Sequence, residues 1–247
     1  MKEYIAKLSS HELVNKEQVM EQRIAQFEFA KQSYQVDLVP QQHADRQNIE
    51  HFIHAVYEKR YQADVQAFMP MLVKVSSVSS GKTVAAAGFT LGHRNKLFLE
   101  QYLDFPLEKA ASAVIGKQMK RSDFVEVGNL AGAIPGAAHL IILSLAEYLS
   151  SIGHQWIAFT LTKSMVNAFQ AIGLEPLALI DAHHSSTSTQ CDDWGSYFET
   201  QPKVMVGAMA LACEKMHQMG LYKKLKFQNF YSSSFDQQRV IKQGASK

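Results

Sequence analysis

The sequence predicts one α+β domain whose central sheet is mixed, mostly antiparallel, contains one parallel strand pair and is flanked by helices. Two stretches carry this prediction. Residues 124–174 read as strand, turn, apolar helix, strand and short helix, which is the pattern of a parallel crossover unit. Residues 71–91 read as two strands joined by a turn containing Gly81, which is the pattern of an antiparallel hairpin.

The other elements follow from apolar periodicity and from the positions of Gly and Pro. Ile49, Phe52 and Ile53, for example, lie on one face of a predicted helix. The predicted helices are residues 10–31, 44–62, 107–115, 139–152, 164–172 and 210–219, and the predicted strands are residues 34–39, 71–75, 83–91, 124–131, 155–162, 177–180 and 204–209. We therefore divide the chain into an N-terminal helical extension (1–31), one domain (32–221) and a basic tail (222–247) that we expect to be mobile.

Composition restricts the class of protein. The chain has 247 residues, of which 47% are hydrophobic and 19% charged, so it can bury a sizeable core. The net charge of +2 is too small to indicate nucleic-acid binding. Residues 1–18 lack the apolar segment of a signal peptide, and no stretch of about 18 apolar residues indicates a transmembrane helix. Cys191 and Cys213 have no metal-ligand spacing. These features predict a cytoplasmic protein without nucleic-acid partners.

Small residues surround the predicted start of the apolar helix. Gly132, Gly136, Ala137 and Ala138 would let a ligand approach the backbone closely, and Pro135 suits a first helical turn. The unpaired N–H groups and the helix dipole favour an anion such as pyrophosphate. Small residues also let a helix pack tightly on a sheet, and this alternative stays open. The spacing matches neither the Walker A motif nor the dinucleotide fingerprint.

Glu126 lies in the middle of an apolar strand, where a carboxylate is costly unless it is paired or protonated. A raised pKa would suit a general base that takes a proton from an attacking amine. The alternative is a structural ion pair with Arg121, Lys120 or Arg94. Asn129, on the same strand, could bind a substrate carbonyl or only bridge two strands.

For several other polar and aromatic residues the sequence favours a solvated or structural role over a functional one. Glu100 and Tyr102 could line an acceptor pocket, but a solvated face is the simpler reading. His183 and the adjacent His184 would point to different sides, so we expect no metal site. Trp194 is expected to anchor its loop on the core. The Ser/Thr run before it lacks the setting of a hydrolase nucleophile.

The order of elements resembles the GNAT acyltransferase superfamily, in which a (Gln/Arg)-x-x-Gly-x-(Gly/Ala) loop holds the pyrophosphate of acyl-CoA. The matching positions are Ala133, Gly136 and Ala138, and Ala133 departs from the family residue. The family's aromatic residue before a Gly-Phe pair, commonly Tyr, corresponds to Phe169 before Gly173. Because Phe cannot donate a proton, the resemblance implies that the usual general acid is missing.

A closer resemblance is to the thermostable haemolysin family. This resemblance rests on residues 97–104, 125–131, 156–160 and 194–197, followed by Pro202. That pattern is also similar to the acyl-homoserine-lactone synthases, which have a GNAT-like core and carry Glu-x-x-Arg on the central strand. Here Glu126 matches the Glu, and Asn129 takes the position of the Arg.

The resemblance implies an acyltransferase that moves an acyl group from acyl-CoA or acyl carrier protein to a small amine. Glu126 and Asn129 would be catalytic. The donor would be bound by the backbone at Leu130 and Ala131 together with the residues around the helix start, Ala133, Gly136, Ala137 and Ala138. Acyl-CoA would be a co-substrate, and no metal is expected. The alternative is a membrane-active haemolysin that lyses cells without catalysis, through an amphipathic surface near residues 14–29 or through the basic tail, which has six Lys or Arg and one Asp.

Overall fold

The computed structural model describes residues 23–93, 96–183 and 194–231. The strands are β1 (Arg23–Phe29), β2 (Gln32–Pro40), β3 (Met71–Ser77), β4 (Thr83–Leu91), β5 (Phe124–Gly132), β6 (Trp156–Leu161), β7 (Leu177–Asp181), β8 (Lys203–Ala208) and β9 (Gln228–Asn229). The α-helices are α1 (Arg46–Tyr61), α2 (Leu107–Ile115), α3 (Ala137–Ser151), α4 (Lys163–Ala171), α5 (Met209–Gln218) and α6 (Leu221–Lys224). Short 3-10 helices occupy Phe98–Tyr102, Arg121–Asp123 and Tyr197–Thr200.

The strands form one sheet in the order β7-β8-β6-β5-β4-β3-β2-β1-β9. Only β5 and β6 are parallel among the strand pairs of this sheet, and α3 connects them. The predicted α+β class, the hairpin of β3 and β4, and the crossover unit are confirmed.

Helices cover both faces of the sheet because its central strands are apolar on both sides. Val125 and Val127 of β5 pack in the same core cluster as α3. Phe124, which precedes them, packs in a second cluster with α2. A third cluster joins α1 to the sheet near Ala131. The alternation along β5 thus directs Glu126 to the face of α1 and α2, away from α3.

The structure differs from the sequence prediction at both ends of the domain. The predicted N-terminal helix is wrong over Arg23–Phe29, which forms β1 and pairs with β2. Ile24, Ala25 and Phe27 of this strand are buried, and pairing with the adjacent β2 overrides the weak helical stripe. At the other end, Tyr222 is buried, Phe227 stacks on Phe27 with ring centroids 6.5 Å apart, and β9 pairs with β1. Residues 1–22 and 232–247 lie outside the described part.

Candidate active site

A cleft opens in the middle of the sheet because β5 and β6 separate. Their pairing runs from Phe124 and Trp156 to Val127 and Phe159 and then stops, although both strands continue. A cavity of about 230 Å³ fills the gap and is lined by Glu126, Asn129 and Leu130 among other residues. We call it the cleft cavity.

Glu126 lines this cavity although its side chain is 3% exposed. Its two oxygens accept hydrogen bonds from the backbone N–H groups of Phe98, at 2.7 Å, and Leu99, at 2.8 Å. Burial raises the pKa of Glu126 to about 7, and the two N–H donors oppose that rise only in part. A carboxyl group with a pKa near neutral pH can accept and release a proton under physiological conditions.

The ion-pair alternative for Glu126 does not match the contacts in the structure. Arg121 is hydrogen-bonded to both oxygens of Glu100, at 2.5 and 2.8 Å, and this contact is the main reason why the pKa of Glu100 is lowered. Lys120 makes no ion pair with a described residue, and Arg94 lies outside the described part. Glu100 is therefore a structural residue that ties the Phe98–Tyr102 turn to Arg121. The solvated reading of Glu100 is wrong, and the turn it fixes supplies the two N–H donors of Glu126.

Asn129 bridges β5 to the segment before β3. Its Oδ1 accepts a hydrogen bond from the backbone N–H of Met69 at 2.8 Å, and its Nδ2 donates to the carbonyl oxygen of Ala67 at 3.0 Å. Its backbone is left-handed, with φ 51°, at an irregularity where the register of β4 and β5 shifts. Asn tolerates this conformation better than most residues. The bridging interpretation agrees with these contacts, and residues 67–70 form one wall of the cleft cavity.

Asn129 stabilises the fold through its side-chain hydrogen bonds and through its tolerance of a left-handed backbone, and two substitutions separate these contributions. Asn129→Gly keeps the left-handed backbone but leaves the Met69 N–H and Ala67 carbonyl without their partner, so we expect a loss of about 1–3 kcal/mol in unfolding free energy. Asn129→Ala should lose roughly 1–2 kcal/mol more because Cβ disfavours a positive φ. Chemical denaturation of the three proteins measures both steps. Equal stability of the two variants would contradict the backbone contribution.

The start of α3 forms the second part of the candidate site. Gly136 precedes the helix with φ 82°, and the backbone N–H groups of Ile134 and Gly136 donate no hydrogen bond to another described residue. The N–H of Ala133 is instead bonded to the carbonyl oxygen of Val84 at 2.9 Å, so Ala133 itself is held by the sheet. Ala137 is buried in the core and Ala138 lies in the first helical turn. Tight packing and exposed donors thus coexist at this helix start.

A cavity of about 400 Å³ lies over this turn, and we call it the loop cavity. It contacts residues 132–136 and Arg60, which is the only Lys or Arg among its lining residues. Leu130, Thr160 and Tyr197 line both the loop cavity and the cleft cavity. The two cavities are therefore adjacent along the gap between β5 and β6.

A third, apolar cavity of about 700 Å³ lies behind the cleft, among α3, α4, α5 and α6. It shares Ile142 and Phe159 with the cleft cavity. Phe169 lines it, is 4% exposed and stacks on Phe159 with centroids 5.9 Å apart. Phe169 thus faces an apolar space and does not line the cleft cavity.

Aromatic side chains line much of the site, and the sequence indicated this role only for Tyr102, beside the simpler alternative of a solvated face. Tyr57, Phe98, Tyr102, Trp194 and Tyr197 all line the cleft cavity. Trp194 and Tyr197 do anchor the loop by packing on α1, with ring centroids 6.3 Å from Tyr57 in both cases, but they also face the cavity. Apart from Tyr102, the signal in the sequence is that Tyr57 continues the apolar helix face formed by Ile49, Phe52 and Ile53.

The described residues form neither a metal site nor a membrane-spanning helix. No group of three or more His, Cys, Asp or Glu side chains is placed there to hold a metal ion. His184 lies outside the described part. None of the helices described here has the length and apolarity needed to cross a membrane.

The fold and the separated strand pair define a class, the GNAT-like fold, as the resemblance implied. Among solved structures, FeeM, an N-acyl amino acid synthase from uncultured soil microbes, matches with a TM-score of 0.50 and 11% identity over 82% of this chain and 99% of FeeM. BjaI, a CoA-dependent acyl-homoserine lactone synthase determined with SAM and isopentyl-CoA, matches with a TM-score of 0.50 and 9% identity over 79% of this chain and 90% of BjaI.

The sequence itself places the protein more narrowly. The family model described as Thermostable hemolysin matches residues 39–213, so the chain belongs to the thermostable haemolysin family. None of the curated proteins is significantly similar in sequence. Because the identities to the solved structures are low, these structures establish the fold only.

Proposed function

We propose that the protein is an N-acyltransferase that moves an acyl group from acyl-CoA or acyl carrier protein to a small amine, with Glu126 as the general base. The observation that carries this proposal is a buried carboxyl group with a pKa of about 7 in the cleft between β5 and β6. A base of this kind is needed because an amine is protonated at neutral pH and must lose a proton to attack.

The donor would lie along the gap between the two strands. Its pyrophosphate, or the phosphate of a carrier-protein arm, would bind the free N–H groups of Ile134 and Gly136, with Arg60 nearby. The thioester would then reach the cleft cavity past Leu130 and Thr160, which line both cavities. FeeM and BjaI act on acyl groups, and BjaI is CoA-dependent, which supports a donor of this class in a GNAT-like fold.

The chemistry would be a direct transfer. The amine nitrogen bonds to the thioester carbonyl carbon, its proton passes to Glu126, and the carbon–sulfur bond breaks to release the thiol carrier. Backbone N–H groups of residues 129–131, beyond the last pairing with β6, would polarise the carbonyl oxygen. Phe169 cannot protonate the leaving sulfur, so the thiolate would take its proton from water or from Glu126.

The apolar cavity would hold the acyl chain. It adjoins the cleft cavity at Ile142 and Phe159 and is lined mainly by aliphatic and aromatic side chains. Burying each CH₂ group of an acyl chain there would contribute about 0.8 kcal/mol. Affinity should therefore rise with chain length until the cavity is filled.

Thermal unfolding in the presence of acyl-CoAs of increasing chain length tests the proposal, with free CoA as the control. A ligand at about 100 times its Kd adds about 2.7 kcal/mol of stability. For a protein of this size, that corresponds to a rise in Tm of roughly 5–10 °C. No shift with any acyl-CoA, and none with acylated carrier protein, would refute the donor site.

Substituting Ile142 tests the path of the acyl chain. Ile142→Trp should narrow the passage between the two cavities and abolish the extra Tm shift given by long-chain acyl-CoA, while leaving the shift given by acetyl-CoA. Ile152→Trp is the matched control, since Ile152 follows the same helix and is 49% exposed. A long-chain shift that survives in Ile142→Trp would place the acyl chain elsewhere.

The described residues give no support to direct membrane lysis. The part of the proposed amphipathic surface that is described, Arg23–Phe29, is a strand of the sheet with Ile24 and Phe27 buried. Phe227 and Tyr231, two of the apolar residues of the basic tail, pack against the core.

A further inference from the structure

Five of the seven aromatic residues that line the cleft cavity form a continuous surface, which we call the aromatic wall: Tyr57, Phe98, Tyr102, Trp194 and Tyr197. Trp194 is its centre, with ring centroids 5.2 Å from Tyr197, 6.1 Å from Phe98 and 6.3 Å from Tyr57. Phe98 in turn meets Tyr102 at 6.4 Å. Phe98, Tyr102 and Trp194 are only partly buried, so ring surface remains available to the cavity.

Charged groups are scarce in the same cavity. Among its lining residues, Glu126 is the only acid and Lys96 the only base, and Lys96 is exposed. An acceptor with several charged groups, such as a nucleotide, would leave most of them without a charged partner, at a cost for each. The lining, in which Thr90, Thr160 and Asn129 are the non-aromatic polar residues beside these two charges, suits a molecule with one amino group and an otherwise uncharged body.

The wall and Glu126 are linked through one short segment. Phe98 contributes its ring to the wall and its backbone N–H to Glu126, at 2.7 Å. A ligand stacked on the wall is thereby held next to the carboxyl group. Aromatic pairs at centroid distances of 4.5–7 Å contribute roughly 0.5–1.5 kcal/mol beyond burial, which aliphatic groups of the same size lack.

We infer that the acyl acceptor is a primary amine that carries an aromatic ring, with the ring against the aromatic wall and the amino group directed to Glu126. This inference rests on the proposed function and narrows it to one class of acceptor. The amine enters in its ammonium form and gives one proton to Glu126, which releases it to solvent. It then attacks as the free amine, and its second proton passes to the Glu126 carboxylate and on to the leaving thiolate.

Calorimetric titration of the full chain, with and without saturating CoA, tests the inference without turnover. The probes are 2-phenylethylamine and 2-cyclohexylethylamine, which have the same ammonium group, the same linker and six-membered rings. We expect the phenyl compound to bind about tenfold more tightly, as one or two aromatic pairs would give. Equal affinities, tighter binding of the cyclohexyl compound, or no binding of either amine under both conditions would overturn the inference.

Two substitutions separate ligand contact from core packing. Trp194→Leu should remove most of the preference for the phenyl compound. Phe198→Leu is the matched control, because the Phe198 ring touches Trp194 at 6.1 Å and Tyr197 at 5.5 Å but does not line the cavity. The control should keep the preference. A loss of equal size in both variants would show that the aromatic cluster only packs.

Failure of this inference differs from failure of the proposed function. If acyl-CoA shifts the Tm, and an amine without a ring is acylated faster than 2-phenylethylamine, the acceptor class is wrong and the acyltransferase proposal stands. If no donor binds, the acyltransferase proposal fails, whichever amine binds.

Discussion

Glu126→Gln is expected to lower the rate of acyl transfer about 100- to 10,000-fold, the usual contribution of a general base. The amide cannot take the proton of the attacking amine. Single-turnover release of CoA from a bound acyl-CoA, at saturating amine, measures the chemical step. The Tm shift given by acyl-CoA should be retained, since Glu126 does not line the loop cavity. A rate within tenfold of the unsubstituted protein would contradict the assignment.

The same substitution has a structural cost that must be measured beside the rate. Both oxygens of Glu126 accept backbone N–H groups. An amide has one oxygen, so its NH₂ group would face one of these donors and leave it unpaired, at about 1–3 kcal/mol. Unfolding of the variant should therefore occur at lower denaturant, and the rate should be compared at a temperature where both proteins are folded.

The pH dependence of the reaction provides a second test of Glu126. Burial raises its pKa from near 4.5 to about 7, so the basic form accumulates as pH rises and kcat/KM should increase through about pH 7.

The contribution of Glu126 to the free energy of unfolding should change with pH in the opposite direction and decrease as pH rises. Between about pH 4.5 and 7 the folded protein holds a proton that the unfolded chain has released, so the contribution of this group is present at low pH and is lost as pH rises through 7. Glu126→Gln should remove both dependences.

Gly136→Glu is expected to weaken acyl-CoA binding by 100-fold or more. Its carboxylate would stand at the start of α3, where the donor's phosphates are proposed to bind, and like charges repel. A side chain is also strained there, because Gly136 has φ 82° and its Cβ would meet Phe29 Cζ at 3.3 Å. Titration of CoA and acyl-CoA against the folded variant measures the loss.

A matched control exists near the other end of the same helix. Gly153 also has a positive φ, 97°, and a Cβ there would meet no atom within 4 Å. Gly153→Glu adds the same charge and a similar backbone strain roughly 25 Å from Gly136, given the rise of 1.5 Å per residue. It should bind acyl-CoA normally. Equal losses in both variants would trace the effect to general destabilisation instead of a phosphate site.

Local patterns in the sequence predicted most of the fold. The strands and helices of residues 32–221 follow from apolar periodicity interrupted by Gly and Pro, and such signals are local. The prediction fails at β1, where the seven residues Arg23–Phe29 are decided by pairing with β2. This pairing is a hairpin closed by Ala30 and Lys31, both with positive φ, and its turn lacks the Gly or Asn residues that usually mark such a turn in a sequence.

The candidate site was predictable in part. Glu126 stands out because burying a carboxylate in an apolar strand is costly unless the carboxylate is paired or protonated. Its partners could not be foreseen, because Phe98 and Leu99 reach it through backbone groups about 27 positions away, and a backbone N–H has no residue type to recognise. The same holds for the aromatic wall, whose members come from α1, the Phe98–Tyr102 turn and residues 194–197.

The short pairing of β9 with β1 also bears on aggregation. The unpaired N–H and C=O groups of an edge strand can recruit a strand from another molecule, and proteins commonly cover such edges. Gln228 and Asn229 occupy part of the outer edge of β1, and Phe227 stacks beside it on Phe27. A chain shortened after Leu225 would leave this edge bare and open to intermolecular pairing. A role of the basic tail in lysis is therefore better tested by neutralising Arg239, Lys242 and Lys247 than by deleting the segment that covers the sheet.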